Sequence, residues 1–190
     1  MARARWWLAA VVSVAATAGC ALFQPGATPV ADGVTVLAKL DGWSAPLSTD
    51  ESLGVNVVVE IAYDEDAARS AWDAAAAGEL PERSGEPRDA GRYGSLDDVD
   101  LADQVVVVYS AGQSSACPGW LADIAVEGSL VVLEETEHVP GNGCSDDFNP
   151  YRLVLAVDRD KVPAAEELPV RRVRVDDREY DGLVTTYPAA

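Results

Sequence analysis

Cationic side chains are scarce in this 190-residue chain: 14 Lys and Arg stand against 32 Asp and Glu, and His138 is the single histidine. One histidine excludes a multi-histidine metal centre within one chain. The shortage of cations leaves no basic patch to hold phosphates, so nucleic acid is excluded as a partner and attraction to anionic headgroups is weak. An acidic balance of this kind fits the solubility of an exported domain. C-x-x-C is missing as well: Cys117-Pro118-Gly119-Trp120 has the wrong spacing, which excludes a thioredoxin-type redox motif. Gly112-Gln113-Ser114-Ser115-Ala116 lacks the second glycine of a G-x-S-x-G elbow, and no helix signal follows it. Ser114, Ser115, Ser145 and His138 therefore give no hydrolase assignment, and His138 reads as a surface residue in an acidic turn. Asp97, Asp98, Asp100 and Asp103 lack the glycine and terminal glutamate of an EF-hand. They read as a solvated strand entrance, with Asp100 capping a turn. No catalytic set, metal or cofactor is predicted.

Long apolar runs are also few. Arg3 and Arg5 precede Trp6 to Ala16, an apolar stretch ending in small residues. This has the layout of an export signal and falls short of the roughly 20 residues of a spanning helix. No later segment is apolar enough to span. Removing this leader leaves 12 basic side chains against 32 acidic ones, a formal balance of about −20. Thr17-Ala18-Gly19-Cys20 resembles a bacterial lipobox, which implies diacylglyceryl attachment at Cys20 and a mature chain beginning there. Thr17 departs from the usual leucine, and Ala16-Thr17-Ala18 makes an alternative A-x-A site that would release an unlipidated protein. With Cys20 lipidated, Cys117 and Cys144 remain as a disulfide pair in an oxidising compartment. Residues 1–19 are thus read as a lipoprotein signal peptide and 20–33, rich in Pro and Gly, as a flexible tether. The lipid anchors the chain to the outer face of the membrane.

Residues 34–190 are read as one β-rich domain. The run Val105 to Tyr109 is apolar at both parities and rich in β-branched residues, which predicts a central strand buried on both faces. Tyr151, Leu153, Leu155 and Val157 share one parity against Arg152, Val154, Ala156 and Asp158, so this strand is expected to bury one face more completely. Val34 to Leu40, with Val34, Val36 and Ala38 on one parity, and Val55 to Ala62 are further strands. Trp43 and Leu47 follow the first and would cover an edge. Asp64 offers an N-cap, Gly78 a left-handed terminus, and Ala68, Ala71, Trp72 and Ala75 a helical stripe, predicting a helix over 65–77 with Trp72 as its anchor. Glu79 to Asp98 reads as a long exposed loop. Trp120 to Val126 and Ser129 to Glu135 form a hairpin about Glu127-Gly128. Thr136 to Phe148 is a loop, Val170 to Val175 an edge strand guarded by Arg172 and Arg174, and Leu183 to Tyr187 either a last strand or a terminus packed down on the domain. The fold class is mainly β (α+β): a small antiparallel sandwich or barrel-like domain with one packed helix and one disulfide.

The segment Tyr109 to Trp120, the Glu127-Gly128 turn, Cys144-Ser145-Asp146-Asp147 and Asn149-Pro150-Tyr151 resemble a family of actinobacterial secreted lipoproteins that share a Cys-Pro before the hairpin and an acidic cysteine loop before Pro-Tyr. More remotely, the order of strand, Trp72 helix, Asp100-Leu101, valine strand, glycine loop, hairpin and Pro-Tyr strand is similar to the C-terminal domain of PrcB-like envelope proteins, which associate with a surface proteinase. Ser115-Ala116-Cys117-Pro118-Gly119-Trp120 replaces the Thr-Gly-Gly-Tyr core of that family's loop. The resemblance implies a fold; with that loop core replaced, the family's partner specificity does not carry over. The expectation is a membrane-tethered module that binds an envelope protein through loops restrained by Cys117 and Cys144. Gln113, Ser114, Ser115, Asn142, Asp146 and Asp147 are the candidate contact residues. An envelope hydrolase of unrecognised type and a secreted, unlipidated binding domain are the alternatives.

Overall fold

The computed structural model describes residues 28–42, 57–76, 79–170, 172–175, 178–181 and 184–188. The export stretch, Cys20, Trp43, Leu47 and Gly78 lie outside them. Among the described residues eleven strands form two sheets, with one α-helix on the outer face of the larger. The large sheet runs β1 (Thr28–Ala31), β2 (Val34–Asp41), β8 (Asn149–Asp158), β5 (Gln104–Gln113), β3 (Val58–Ala62), β11 (Val184–Thr186), and β4 (Gly91–Arg92) also pairs with β2. The small sheet runs β10 (Arg178–Asp181), β9 (Arg172–Val175), β7 (Leu130–Glu137), β6 (Gly119–Glu127). The result is a sandwich, and the barrel alternative falls away. Two contacts are parallel rather than antiparallel, β11 with β3 and β9 with β7.

β5 is central, between β8 and β3. Its odd residues Val105, Val107, Tyr109 and Ala111 pack toward the small sheet with Leu153, Leu155, Leu121, Ile124 and Leu133. Val106 and Val108 instead meet Val154, Ala156 and the alanines of α1 (Glu65–Ala76). The apolar parity on both faces is thus explained by one layer on each side. Asp64 caps α1, its Oδ1 accepting from the Ala67 amide at 2.9 Å. Ala67, Ala68, Ala71 and Ala75 are buried, whereas Trp72 is half-buried at the margin. Small side chains let the helix approach closely, so the alanines make the contact that Trp72 was expected to dominate.

Several expectations change. Thr28–Ala31, read as tether, forms β1. The hairpin turn is Gly128-Ser129, since Glu127 pairs with Leu130; Gly128 supplies the positive φ of 60°. The loop over 79–98 contains β4, and Tyr93 is buried with its hydroxyl donating to the Asp89 carbonyl at 2.7 Å. β9 is no edge, because β10 pairs outside it; Arg174 is half-buried and bonds Glu127 at 2.6 Å. Arg152, assigned to the less buried face, is 7% exposed, its Nε donating to Ser110 Oγ at 3.2 Å and its Nη2 3.7 Å from Glu60. Asp100 does cap a turn, accepting from the Ala102 amide at 3.0 Å.

Candidate functional site

The end of the sandwich where β5 stops and β6 starts owes its chemistry to a β-bulge. Val36 pairs with Leu155 but Ala38 with Val154, so Leu37 is an extra residue in β2. One extra residue reverses the faces of everything after it. Ala38 therefore joins the helix-facing cluster, not the side of Val34 and Val36, and Lys39 turns into the space between the sheets. Lys39 is fully buried. Its Nζ donates to the Gly119 carbonyl (2.7 Å), Gln113 Oε1 (3.0 Å) and the Arg88 carbonyl (3.0 Å), and lies 4.9 Å from the centre of the Tyr151 ring. Burial lowers its pKa to about 8, against the opposing pull of Asp41 and Asp89. Three acceptors match the three hydrogens of an ammonium. Lys39 is thus a brace joining β2, the 79–95 segment, β5 and β6, with no lone pair to offer as a nucleophile while charged.

Beside it, the hydroxyls of Tyr109 and Tyr151 both donate to Glu135 Oε1, the second at 3.3 Å. The rings meet edge to face, 6.1 Å between centroids. Burial is the main cause that raises both phenols well above their ordinary range; for Tyr109 the neighbouring Tyr151 and Glu135 add to it, and for Tyr151 Glu135 does. They stay protonated donors at any physiological pH. Above them the sheets part into a cleft of about 340 Å³, lined by Gly112, Gln113 and Tyr151 of the large sheet and Gly119, Glu135, Thr136 and Glu137 of the small one.

Two loops flank this cleft. Cys117 and Cys144 are disulfide-bonded, with Cα atoms 5.3 Å apart. Asp147 adds a second tie: its Oδ1 accepts from Ser145 Oγ (2.5 Å), the Ser115 amide (3.1 Å) and Ser114 Oγ (3.4 Å), while Ser145 Oγ stands 2.8 Å from Ser114 Oγ and 3.1 Å from Ser115 Oγ. Hydrogen bonds from Ser115 and then Ser145 hold the Asp147 carboxyl down at about 2. Such a carboxylate is a poor base at neutral pH, so it organises the hydroxyls and does not activate them. His138 is engaged elsewhere, its amide on the Pro118 carbonyl at 3.0 Å and its Nε2 3.5 Å from Arg88 Nη1. Glu137 lies within 4.8 Å of both cysteine sulfurs, but these are bonded to each other and are not metal ligands in that state.

The six candidate contact residues divide sharply. Ser114, Ser115 and Asp147 are consumed in tying the loops together. Gln113 is the last residue of β5: its Oε1 accepts from Lys39 and the Gly119 amide (2.9 Å), and its Nε2 donates to Asp41 (3.0 Å). Asn142 and Asp146 are exposed, and among the described residues no hydrogen bond engages their side chains. Among the described residues Phe148 and Val139, each 55% exposed, are the exposed large apolar side chains, and both belong to the β7–β8 loop. The Phe148 ring lies on Gly112, where a methyl group would overlap it. Comparison with family models, with curated proteins and with solved structures finds no match. Lys39, Tyr109, Tyr151 and Glu135 were not among the candidates. The signal was available: a lysine inside an apolar strand, and two tyrosines on the core parity of strands predicted to be neighbours.

Proposed function

We propose that the chain is a membrane-tethered extracytoplasmic lipoprotein whose domain binds a protein in the cell envelope through the disulfide end of the sandwich. One observation carries this reading: the loops at that end are fixed by Cys117–Cys144 and by Asp147, yet they leave Phe148, Val139, Asn142 and Asp146 to solvent. Loops ordered before contact lose little entropy on binding, and a loop that is both fixed and apolar at its surface is suited to a partner. Cys20 supplies the anchor, and the residues after it keep the domain off the bilayer.

Affinity capture from envelope extracts, with wild type beside the combined variant Asn142→Ala, Asp146→Ala, Phe148→Ser, tests the module. A partner retained by wild type and lost by the variant is expected, with melting temperature unchanged. Equal retention would refute the loop assignment. Metabolic labelling with a fatty-acid analogue tests the anchor: label on wild type and its loss in Cys20→Ser is expected. An unlabelled wild type with a mature terminus at Gly19 would make the protein a freely secreted module.

A further inference from the structure

Among the described residues one group of three metal-ligating side chains comes together, and it lies at the disulfide: the Cys117 and Cys144 sulfurs and a Glu137 carboxylate oxygen all stand within 4.8 Å of one another. While the sulfurs share a bond they have no thiolate to offer a metal. Reduction changes that, and the exposure of the two residues decides where it starts. Cys117 is fully buried and Cys144 is exposed. A dithiol therefore attacks the Cys144 sulfur, forming a mixed disulfide and expelling Cys117 as the thiolate. Its second thiol then closes on the first as a cyclic disulfide and frees Cys144. Two electrons pass from the dithiol to the bridge, and its two protons go to the cysteines.

Contacts that do not pass through sulfur keep the group together once the bond is open. Asp147 joins the Ser115 amide to Ser145 Oγ, so the loop that carries Cys144 remains tied to the loop that carries Cys117. Glu137 is held in the ladder opposite Gly119, and the next amide, that of His138, donates to the Pro118 carbonyl at 3.0 Å. The Cys117 amide donates to the Ser114 carbonyl at 3.1 Å. Cys117 and Glu137 are thus fixed by backbone hydrogen bonds, and Cys144 by the tie through Asp147. At about 2.3 Å from a tetrahedral zinc, two sulfurs stand about 3.8 Å from each other. Cysteine Cα atoms 5.3 Å apart allow this by side-chain rotation.

We propose that reduced Cys117 and Cys144, together with Glu137, bind a zinc ion that holds the two loops together when the disulfide is absent. The donor set selects the metal: two thiolates suit a borderline-soft cation and disfavour calcium and magnesium, whose ligands are oxygens. Three protein ligands leave the fourth tetrahedral position to water. Because the thiols must lose their protons, the affinity rises with pH. The site stands whether or not the domain captures a protein.

The intact chain is reduced with dithiothreitol, freed of it in the absence of oxygen, and titrated with cobalt(II) and then with zinc. Cobalt should give the near-ultraviolet thiolate charge-transfer band of a one-to-one complex, and zinc should bleach it while magnesium and calcium do not. The oxidised chain should give no band. Glu137→Gln should weaken zinc binding at least about tenfold, whereas Asp146→Asn, which changes an acid of the same loop outside the group, should leave it unchanged. Hydrogen exchange around Cys144 should slow when zinc is added to the reduced chain. Equal affinity in wild type and Glu137→Gln, equal weakening by Asp146→Asn, or a cobalt complex without the thiolate band would overturn the proposal. A reduced chain that unfolds would bind through its thiols alone, without regard to Glu137, and so meets the first of these conditions.

Discussion

Between the two sheets, β5 and β8 run from an end walled by Val105, Val107, Leu155 and Val157 to an end where the same two strands carry Tyr109, Gln113 and Tyr151 around Lys39 and Glu135. Both ends are buried, but they are held in different ways. The aliphatic end needs only exclusion from water, worth about 25 cal/mol per Å² of apolar surface, and is sensitive to changes of volume. The polar end must satisfy each buried donor and acceptor, and it gains less net stability for the same burial. It opens into the cleft and needs a disulfide to fix its loops. The difference separates the part of the molecule that makes it fold from the part that is available for contact, and substitutions at the two ends should diverge accordingly.

The largest effect is expected at the aliphatic end. Leu155→Ala removes a fully buried side chain and should cost about 3 to 5 kcal/mol in denaturant melts, with lowered cooperativity if the cavity is not filled. Next is the bridge: Cys117→Ser with Cys144→Ser reopens a loop of 27-residue separation, for which the chain-entropy model gives about 3.5 kcal/mol. Far-ultraviolet circular dichroism should remain that of the folded sheets. Loss of the sheets themselves would mean that the two ends are not separable.

Lys39 sharpens the contrast through pH. Its pKa falls from 10.5 in the unfolded chain to about 8 in the fold, so between these values the unfolded state binds more protons and stability rises with pH. Wild type should therefore gain about 3 kcal/mol relative to Lys39→Met from pH 8 to 10.5, with no change in the difference below pH 8. Tyr109 and Tyr151 act in the opposite direction, since their raised pKa values make the fold lose stability above about pH 10 as the unfolded phenols ionise. A parallel pair of curves for wild type and Lys39→Met would show that burial does not set the lysine's state. The smallest global effect belongs to Asp147→Asn, which should leave the unfolding midpoint unchanged because the residue is exposed. Hydrogen exchange should nevertheless accelerate at the Ser115 amide. The depressed carboxyl pKa gives wild type the same loosening as pH falls from about 4 through about 2.

The aliphatic end was legible in the sequence and the polar end was not, for a physical reason. Alternation is a reliable guide while a strand keeps its register, so Val105 to Tyr109 identified the centre of the sheet and Tyr151 to Val157 its neighbour. An odd number of cysteines pointed to Cys117 and Cys144. The bulge at Leu37 breaks the alternation without changing composition, and it alone decides that Lys39 faces inward. Tyr93 was hidden in a segment whose Gly, Pro and charged residues suggested solvent, because a two-residue strand leaves no periodic signal. The loops were recognised as loops, but which of their side chains bind each other depends on the fold. Ser114, Ser115 and Asp147 turned out to be joined across 32 residues of sequence, leaving Asn142 and Asp146 free for contact.

Photo-crosslinking tests the separation of the two ends most directly. A photoreactive residue at Asn142, beside the disulfide, is compared with one at Asp160, exposed just beyond the far end of β8. In intact envelopes position 142 should give one discrete protein adduct and position 160 none. An adduct from position 160 with none from 142 would contradict it.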